Sequence, residues 1–264
     1  MAVLKIGGSV LRDQHAYHES AELVRDQLRS DPECRLLVVV SAEAGATDAL
    51  EQLACDIASS PDSRLLDLLW SVGERKSAAL LALCLQRAGV DATALDLQQI
   101  GLKVRRGSNG GVTAQLSPAR LQHELKRHPV VVIPGFFGVD ADGGVVSLGR
   151  GGSDLTAVLF ACELGAERCE LVKDVAGFFT ADPNKDASAR PIAELTHNQA
   201  LEMAQAGCDL VQLRALREAA SRRLTLVVRS LDRSSPGTRV VGSHEAGDLA
   251  TWRFGDPLSE WAIG

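Results

Sequence analysis

The sequence has 264 residues, of which 45% are hydrophobic and 23% charged, and this length suits one large α/β domain or two small ones. The net charge of −6 argues against a general nucleic-acid-binding surface, and no apolar run approaches the roughly 20 residues that span a bilayer. The six scattered cysteines, with no Cys-x-x-Cys pair and no secretory signal pattern before them, predict reduced thiols in a cytoplasmic protein rather than a zinc site.

Short apolar runs alternate along the chain with longer segments of helical periodicity. The pattern predicts strands over 3–6, 36–40, 92–95, 130–133, 169–172 and, as the last strand, 224–229. It predicts helices over 19–29, 48–58, 72–88, 153–164, 198–205 and 211–221, and one more whose first position is Pro118. Turn sequences at 108–111 and 140–144 predict hairpins over 102–116 and 139–146.

Strands interleaved with helices predict an α/β protein, a three-layer α-β-α sandwich around a mostly parallel sheet. The run 36–40 lacks polar alternation and is therefore predicted to be buried on both faces. Ligands of such sheets bind beyond the carboxyl ends of the strands, where the glycine-rich motifs of this chain fall.

The segment Leu148-Gly149-Arg150-Gly151-Gly152-Ser153-Asp154 precedes a helical pattern. Its glycines allow a tight turn, and we expect Ser153 or Asp154 to cap the helix. The N–H groups and the positive dipole end of a helix attract an anion, and Arg150 adds a guanidinium that suits a carboxylate or phosphate. The segment therefore suits a substrate with an acidic and an amino group, although glycine turns are also common as purely structural features.

The motif Lys5-Ile6-Gly7-Gly8-Ser9 ends the first strand. Lys5 can reach a phosphate, and the glycines let backbone N–H groups approach its oxygens. The motif matches neither a Walker A loop nor a dinucleotide-binding fingerprint, so on its own it is a weak signal.

Two further segments place polar groups near the same edge of the sheet. Ser41-Ala42-Glu43-Ala44-Gly45-Ala46-Thr47 supplies two hydroxyls, but Thr47 or Asp48 would also serve as an ordinary helix cap. Within Gly73-Glu74-Arg75, the Glu74 carboxylate suits a substrate ammonium group, or else it is a solvated surface charge.

The segment Lys173-Asp174-Val175-Ala176-Gly177-Phe178-Phe179-Thr180-Ala181-Asp182-Pro183 follows a predicted strand. A charged turn followed by an aromatic pair suits a nucleotide base pocket. The alternative is an ordinary exit from a strand, since Asp-Pro-Asn is itself a turn signal.

Together with Pro134-Gly135-Phe136-Phe137-Gly138, these segments resemble the amino acid kinase family and, within it, the aspartate kinases. The resemblance runs from near Val3 to Val241. It implies transfer of the ATP γ-phosphoryl group to the side-chain carboxylate of L-aspartate or a close analogue, with Mg²⁺ carried by the nucleotide and no separate metal site. It also implies a homodimer.

The resemblance also assigns roles to individual residues. Lys5 and Asp154 are the implied catalytic residues. The implied acceptor-binding residues are Ser41, Thr47, Glu74, Arg150 and Ser153. The implied nucleotide-binding residues are Gly7, Gly8, Ser9, Lys173, Asp174, Phe179, Asp182, Lys185 and Asp209.

The resemblance also implies a division of the chain. One catalytic domain is expected over 1–241, in which the first part binds the amino acid and the part from about residue 150 binds the nucleotide. A tail over 242–264 is expected, without the ACT region of the aspartate kinases, and its aromatic residues Trp252, Phe254 and Trp261 suit docking on the domain or on a second subunit.

The chain departs from the family pattern on the nucleotide side. Asp209 stands where the resemblance leads us to expect a lysine, and Lys173 stands where we expect a threonine. A carboxylate there would repel the triphosphate unless a cation offsets it, and Lys173 is the candidate for that cation. Two alternatives therefore stay open: a kinase of the same fold for another small carboxylate or phosphate acceptor, and a catalytically degenerate binding subunit.

Overall fold

A computed structural model describes residues 1–107, 112–149, 151–183, 185–232 and 235–242. The predicted turn at 108–111, Arg150, Asn184 and the tail aromatics lie outside the described residues. Strands β1 to β12 are, in order, Ala2–Ile6, Leu36–Val40, Ala92–Ala94, Leu102–Arg106, Val112–Leu116, Val130–Pro134, Phe137–Val139, Val145–Ser147, Cys169–Val172, Glu194–Thr196, Leu226–Arg229 and Thr238–Val241. Helices α1 to α7 are, in order, Gln14–Ser30, Ala46–Ile57, Ser63–Arg87, Ala119–Arg127, Gly152–Glu163, His197–Gln205 and Leu213–Ser221.

An eight-stranded sheet forms the centre, in the order β10-β12-β11-β9-β1-β2-β6-β3. All its neighbouring pairs are parallel except β11 with β12. Every residue of β2 is buried, as predicted for a strand covered on both faces. Helices α1 and α3 share one apolar cluster with Leu36, Val38 and Val40, whereas α5 and α7 share the other with Leu37 and Val39. The predicted three-layer α/β architecture is confirmed.

A second sheet has the order β5-β4-β7-β8 and contains both predicted hairpins. Its β8 ends at Ser147, directly before the glycine-rich segment at 148–154. This sheet therefore positions the entry to that segment.

The sequence pattern missed two short strands and the first residues of two helices, since α1 begins at Gln14 rather than at residue 19. The strand over 226–229 is not the last, because β12 follows it, and β10 pairs with β12 at the edge of the sheet. Helix α3 begins at Ser63 rather than at residue 72, because Asp62 caps it by accepting hydrogen bonds from the amides of Arg64 and Leu65. The first turns of α3 carry exposed Leu65 and Leu68, so this part of the helix gives no core-facing pattern.

Three predicted helix starts are wrong in detail. Glycines with left-handed backbones, Gly45 (φ 73°) and Gly151 (φ 71°), occupy the N-cap positions of α2 and α5, so neither helix has a side-chain cap. Pro118 occupies the N-cap of α4 rather than its first helical position. At α5 this arrangement leaves the Asp154 side chain available for other contacts.

Candidate active site

A buried cluster of charges lies at the carboxyl ends of the central strands. Lys5 is on β1, Lys173 directly follows the neighbouring strand β9, and Asp154 is in the first turn of α5. The Lys5 Nζ lies 2.9 Å from Asp154 Oδ1, and the Lys173 Nζ lies 2.8 Å from Asp154 Oδ2. The Asp154 side chain is only 4% exposed, and those of Lys5 and Lys173 are 7% and 13% exposed. Two ammonium groups thus share one carboxylate, which leaves an excess positive charge at this edge of the sheet.

The pKa values of the cluster show this imbalance. Burial alone would raise the pKa of Asp154, but the two lysines outweigh it and hold the pKa at about 2. Burial lowers the pKa of Lys5; Asp154 opposes this effect, and Lys173 reinforces it. The carboxylate is therefore ionised at neutral pH, and an incoming anion would stabilise the lysine charges.

The glycines of the first motif bring the backbone close to its neighbours. A Cβ atom at Gly8 would lie 2.6 Å from the Ala42 carbonyl oxygen, so this position has no room for a side chain. A Cβ atom at Gly73 would lie 2.7 Å from the Ala42 Cβ. The loop after β2 is therefore packed between the loop after β1 and helix α3.

These three elements and the first turn of α2 line an open cleft of about 390 Å³. Its lining consists of Gly8, Ser9, Ser41, Ala42, Glu43, Ala44, Gly45, Thr47, Asp48 and Glu74. The predicted acceptor residues Ser41, Thr47 and Glu74 are thus brought together, next to two residues of the first glycine motif. The cleft has a volume suited to a small metabolite.

Glu74 is the most unusual group in this cleft. It is 3% exposed, and its Oε2 atom is buried without a hydrogen-bond partner. Burial raises the pKa of Glu74 to about 7, although hydrogen bonds from the backbone of Ala42 and of Glu74 itself oppose the shift. A buried acceptor atom without a partner, at the wall of a cleft, suits a cationic group of a ligand.

The loop after β9 joins the first glycine motif through a side-chain contact. Ser9 Oγ donates to Asp174 Oδ1 at 3.1 Å. Further along, Phe179 forms an isolated antiparallel bridge with Pro191, which folds the loop back on itself. The Lys185 Nζ lies 3.2 Å from Asp182 Oδ2, in the same loop.

The structure places the remaining predicted residues less centrally. Ser153 is buried next to Gly135, where a Cβ atom would lie 2.9 Å from the Ser153 Cβ. Asp209 is exposed, in the loop that leads to Gln212. The backbone amide of Gln212 lies 3.5 Å from Asp154 Oδ2. Arg150 belongs to the segment outside the described residues.

The sequence reasoning did not single out Tyr17 and Lys76, and it mentioned Glu43 only as part of a motif. The Tyr17 hydroxyl lies 3.0 Å from Glu43 Oε1, and the Lys76 Nζ lies 2.8 Å from Glu43 Oε2, at the wall of the cleft. The position of Glu43 three residues after the end of a buried strand was the one available signal.

Within the described part of the chain, no group of three or more His, Cys, Asp or Glu side chains is arranged to hold a metal ion. Both Asp154 oxygens already face lysines. Among the helices of the described residues, none is long and apolar enough to cross a bilayer.

The chain is similar to aspartokinases along most of its length. It is 38% identical over 245 residues to the aspartokinase of Mycobacterium tuberculosis, which covers 92% of this chain and 58% of that protein. It is 37% identical over 240 residues to the aspartokinase of Thermus thermophilus, covering 91% of this chain and 59% of the relative. The chain thus spans somewhat under three fifths of the length of these relatives.

Solved structures show the same likeness. An aspartate kinase from Synechocystis superposes with a TM-score of 0.83 at 34% identity, over 94% of this chain and 40% of that one. Escherichia coli aspartokinase III in complex with aspartate and ADP superposes with a TM-score of 0.81 at 28% identity, over 93% of this chain and 65% of that one. The model of the amino acid kinase family matches residues 1–230, and the chain therefore belongs to that family.

Proposed function

We propose that this protein transfers the γ-phosphoryl group of ATP to the side-chain carboxylate of L-aspartate or a close analogue, giving an acyl phosphate and ADP. The observation that carries the proposal is the buried Lys5–Asp154–Lys173 cluster beside a small cleft lined by Glu74, whose Oε2 atom has no hydrogen-bond partner. An excess positive charge and an adjacent ammonium-binding carboxylate suit a phosphate donor and an amino-acid acceptor. The complex of the similar Escherichia coli enzyme with aspartate and ADP supports the same pair of ligands.

The chemistry needs little proton transfer, because the acceptor carboxylate is already a nucleophile. One of its oxygens forms a bond to the γ-phosphorus, and the bond from that phosphorus to the oxygen it shares with the β-phosphate breaks, so the electron pair leaves with ADP. Catalysis is then mainly positioning and neutralisation of negative charge. Lys5 and Lys173 supply the neutralising charges, and Asp154 holds both ammonium groups in place.

The acceptor is proposed to bind in the cleft between the loop after β2 and α3. Glu74 would accept a hydrogen bond from its ammonium group, and Ser41 and Thr47 would contact its polar atoms. Arg150 and Ser153, from the second glycine-rich segment, are proposed to hold a carboxylate. The first part of the chain thus supplies most of the acceptor site.

The nucleotide is proposed to bind from the other side of the lysines. Gly7, Gly8 and Ser9 would direct backbone donors toward its phosphates. The proposed base and ribose contacts are in the loop after β9, with Asp174, Phe179, Asp182 and Lys185, and in the exposed Asp209 region. Mg²⁺ bound to the nucleotide phosphates would lower their negative charge and orient them.

We also propose a cytoplasmic homodimer. All six cysteines are free thiols, which suits a reducing compartment. Six large apolar side chains on α2 and α3 are more than half exposed, and five of them support a contact between two copies: Leu53, Ile57, Leu65, Leu68 and Val72. The same face on two subunits can pack together across a two-fold axis.

The proposed reaction is tested by incubating the protein with ATP, Mg²⁺, hydroxylamine and a panel of acidic amino acids. We expect aspartyl hydroxamate to form together with ADP. A different acyl hydroxamate would move the assignment to another carboxylate acceptor, and ADP release with a phosphate acceptor would move it to phosphate chemistry. Nucleotide binding without turnover of any acceptor would instead support the degenerate binding subunit.

The Glu74 carboxylate makes stability depend on pH. Its pKa rises from 4.5 to about 7 on folding, so the folded protein holds this proton more tightly than the unfolded chain, and the free energy of unfolding falls as pH rises between these values. We expect Glu74→Gln to be more stable than the wild type at pH 8, by on the order of 2 kcal/mol, and to lose this advantage near pH 4.5.

The measurement is urea unfolding of both proteins at each pH, with Glu51→Gln on the exposed side of α2 as control. A stability difference that is the same at both pH values would contradict the buried ionisation. The same variant should also lose affinity for the acceptor, because a neutral amide attracts ammonium less strongly than a carboxylate does.

Removing the second lysine tests the role of the charge excess. Lys173→Thr leaves Asp154 paired with Lys5 alone, so the cluster becomes neutral overall. We expect kcat/KM to fall at least tenfold, which corresponds to about 1.4 kcal/mol of lost transition-state stabilisation. The measurement is steady-state kinetics of this variant, with Lys126→Thr on the exposed side of α4 as the control. An unchanged kcat/KM would refute the proposed role of Lys173.

The dimer is tested by light scattering of the purified protein. We expect the wild type to have the mass of two chains and the double variant Leu65→Asp, Leu68→Asp to have the mass of one. Gln122→Asp with Lys126→Asp, two exposed positions on α4, is the control for added negative charge. A monomeric wild type would rule out the proposed contact.

A further inference from the structure

A second polar cluster lies behind the wall of the acceptor cleft, where α1, α3 and the loop after β2 meet. The Tyr17 hydroxyl is 3.0 Å from both Glu43 Oε1 and Ser77 Oγ. Because this hydroxyl carries one proton, it donates to the carboxylate and accepts from the serine. The Lys76 Nζ lies 2.8 Å from the other carboxylate oxygen, Glu43 Oε2. Both oxygens of Glu43 are therefore engaged by protein groups and do not need a ligand.

Glu43 belongs to the segment that forms one wall of the cleft. Its backbone carbonyl accepts a hydrogen bond from the Ala46 amide at 3.0 Å, and Gly45 turns the chain into α2 with a left-handed backbone. The preceding Ala42 is packed between Gly8 and Gly73. The wall is thus held by close packing at Ala42 and by side-chain contacts at Glu43.

The hydrogen bond between Tyr17 and Ser77 joins α1 to α3, but it is not their only contact. They meet through buried apolar side chains such as Val24, Leu81 and Leu85. The Glu43 side chain is 26% exposed and that of Lys76 is 54% exposed, and ion pairs with this exposure contribute little to global stability. The contacts are therefore better suited to fixing a loop than to holding the fold together.

The charge states of the cluster support a permanent contact. The hydrogen bond from Lys76 lowers the pKa of Glu43, so the carboxylate is ionised at neutral pH. Burial raises the pKa of Tyr17, so the hydroxyl keeps its proton. The donor and acceptor roles stay the same over the pH range in which an enzyme of this kind is assayed.

We propose that Tyr17 and Lys76 are positioning residues which, through Glu43, hold the wall of the acceptor cleft in place. Neither side chain lines the cleft itself. Their effect reaches Ser41 and Thr47, which lie on the same segment and face the space next to Glu74. The proposal rests on the proposed function for its kinetic consequence, but its structural part, a loop fixed by three side chains, is independent of the reaction.

The kinetic test uses Tyr17→Phe and Lys76→Met, each of which removes one contact to Glu43. We expect KM for aspartate to rise about three- to tenfold, the effect of one lost hydrogen bond, while KM for ATP and kcat change less than twofold. Arg120→Met is the matched control, because it breaks an ion pair of 2.7 Å with Glu124 on α4. Unchanged KM for aspartate, or equal losses in all three parameters, would overturn the proposal.

A double-mutant comparison separates action through Glu43 from a general structural effect. If Lys76 acts only through that carboxylate, Lys76→Met should change KM little when it is added to Glu43→Gln. Fully additive changes in KM would show that Lys76 works by another route, which would also overturn the proposal.

Hydrogen exchange of backbone amides tests the positioning even if aspartate is not the substrate. We expect a peptide that spans 41–48 to exchange faster in Tyr17→Phe than in the wild type, and Arg120→Met to leave its exchange unchanged. A wild type that is inactive with aspartate would count against the proposed function alone. Unchanged exchange over 41–48 would count against the positioning role.

Discussion

The Asp154 carboxylate holds two lysine ammonium groups at a buried edge of the central sheet, and the arrangement of the site follows from this contact. Taking three charges out of water is costly unless each is paired with good geometry, and here each oxygen of the shared carboxylate faces one lysine. The parallel neighbours β1 and β9 provide that spacing, since Lys5 is the penultimate residue of one and Lys173 follows the other. Two lysines and one carboxylate leave one net positive charge, which a phosphate would neutralise.

The cleft beside the cluster is formed mainly by backbone and small side chains. Gly8 and Gly73 allow the loop after β2 to approach two other elements at once, which leaves a space of about 390 Å³ with a deeply buried Glu74. The polar cluster of Tyr17, Glu43 and Lys76 then fixes the free side of that loop. Close packing, an ion pair and a buried hydroxyl thus act together on one short segment.

The sequence predicted those candidate site residues that belong to short local motifs. Lys5 was predicted from its place near the end of an apolar strand. Glu74 lines the cleft that also contains the other predicted acceptor residues, although the sequence alone left a surface charge as an equal alternative. The helix cap expected at Ser153 or Asp154 was wrong, because Gly151 takes that position and leaves the Asp154 carboxylate for the lysines. Tyr17 and Lys76 escaped notice because their roles depend on how α1 and α3 pack, a contact that no local pattern encodes.

Under the proposed function, the missing partner of Glu74 Oε2 would have a consequence for how the acceptor binds. At a pH close to the pKa of about 7, part of the population carries a proton on this carboxylate. An entering ammonium group must displace that proton, so ligand and hydrogen ion compete for the same atom. Uptake of the acceptor is then coupled to release of acid into the solvent, and mild acidification would weaken capture without altering the phosphoryl chemistry.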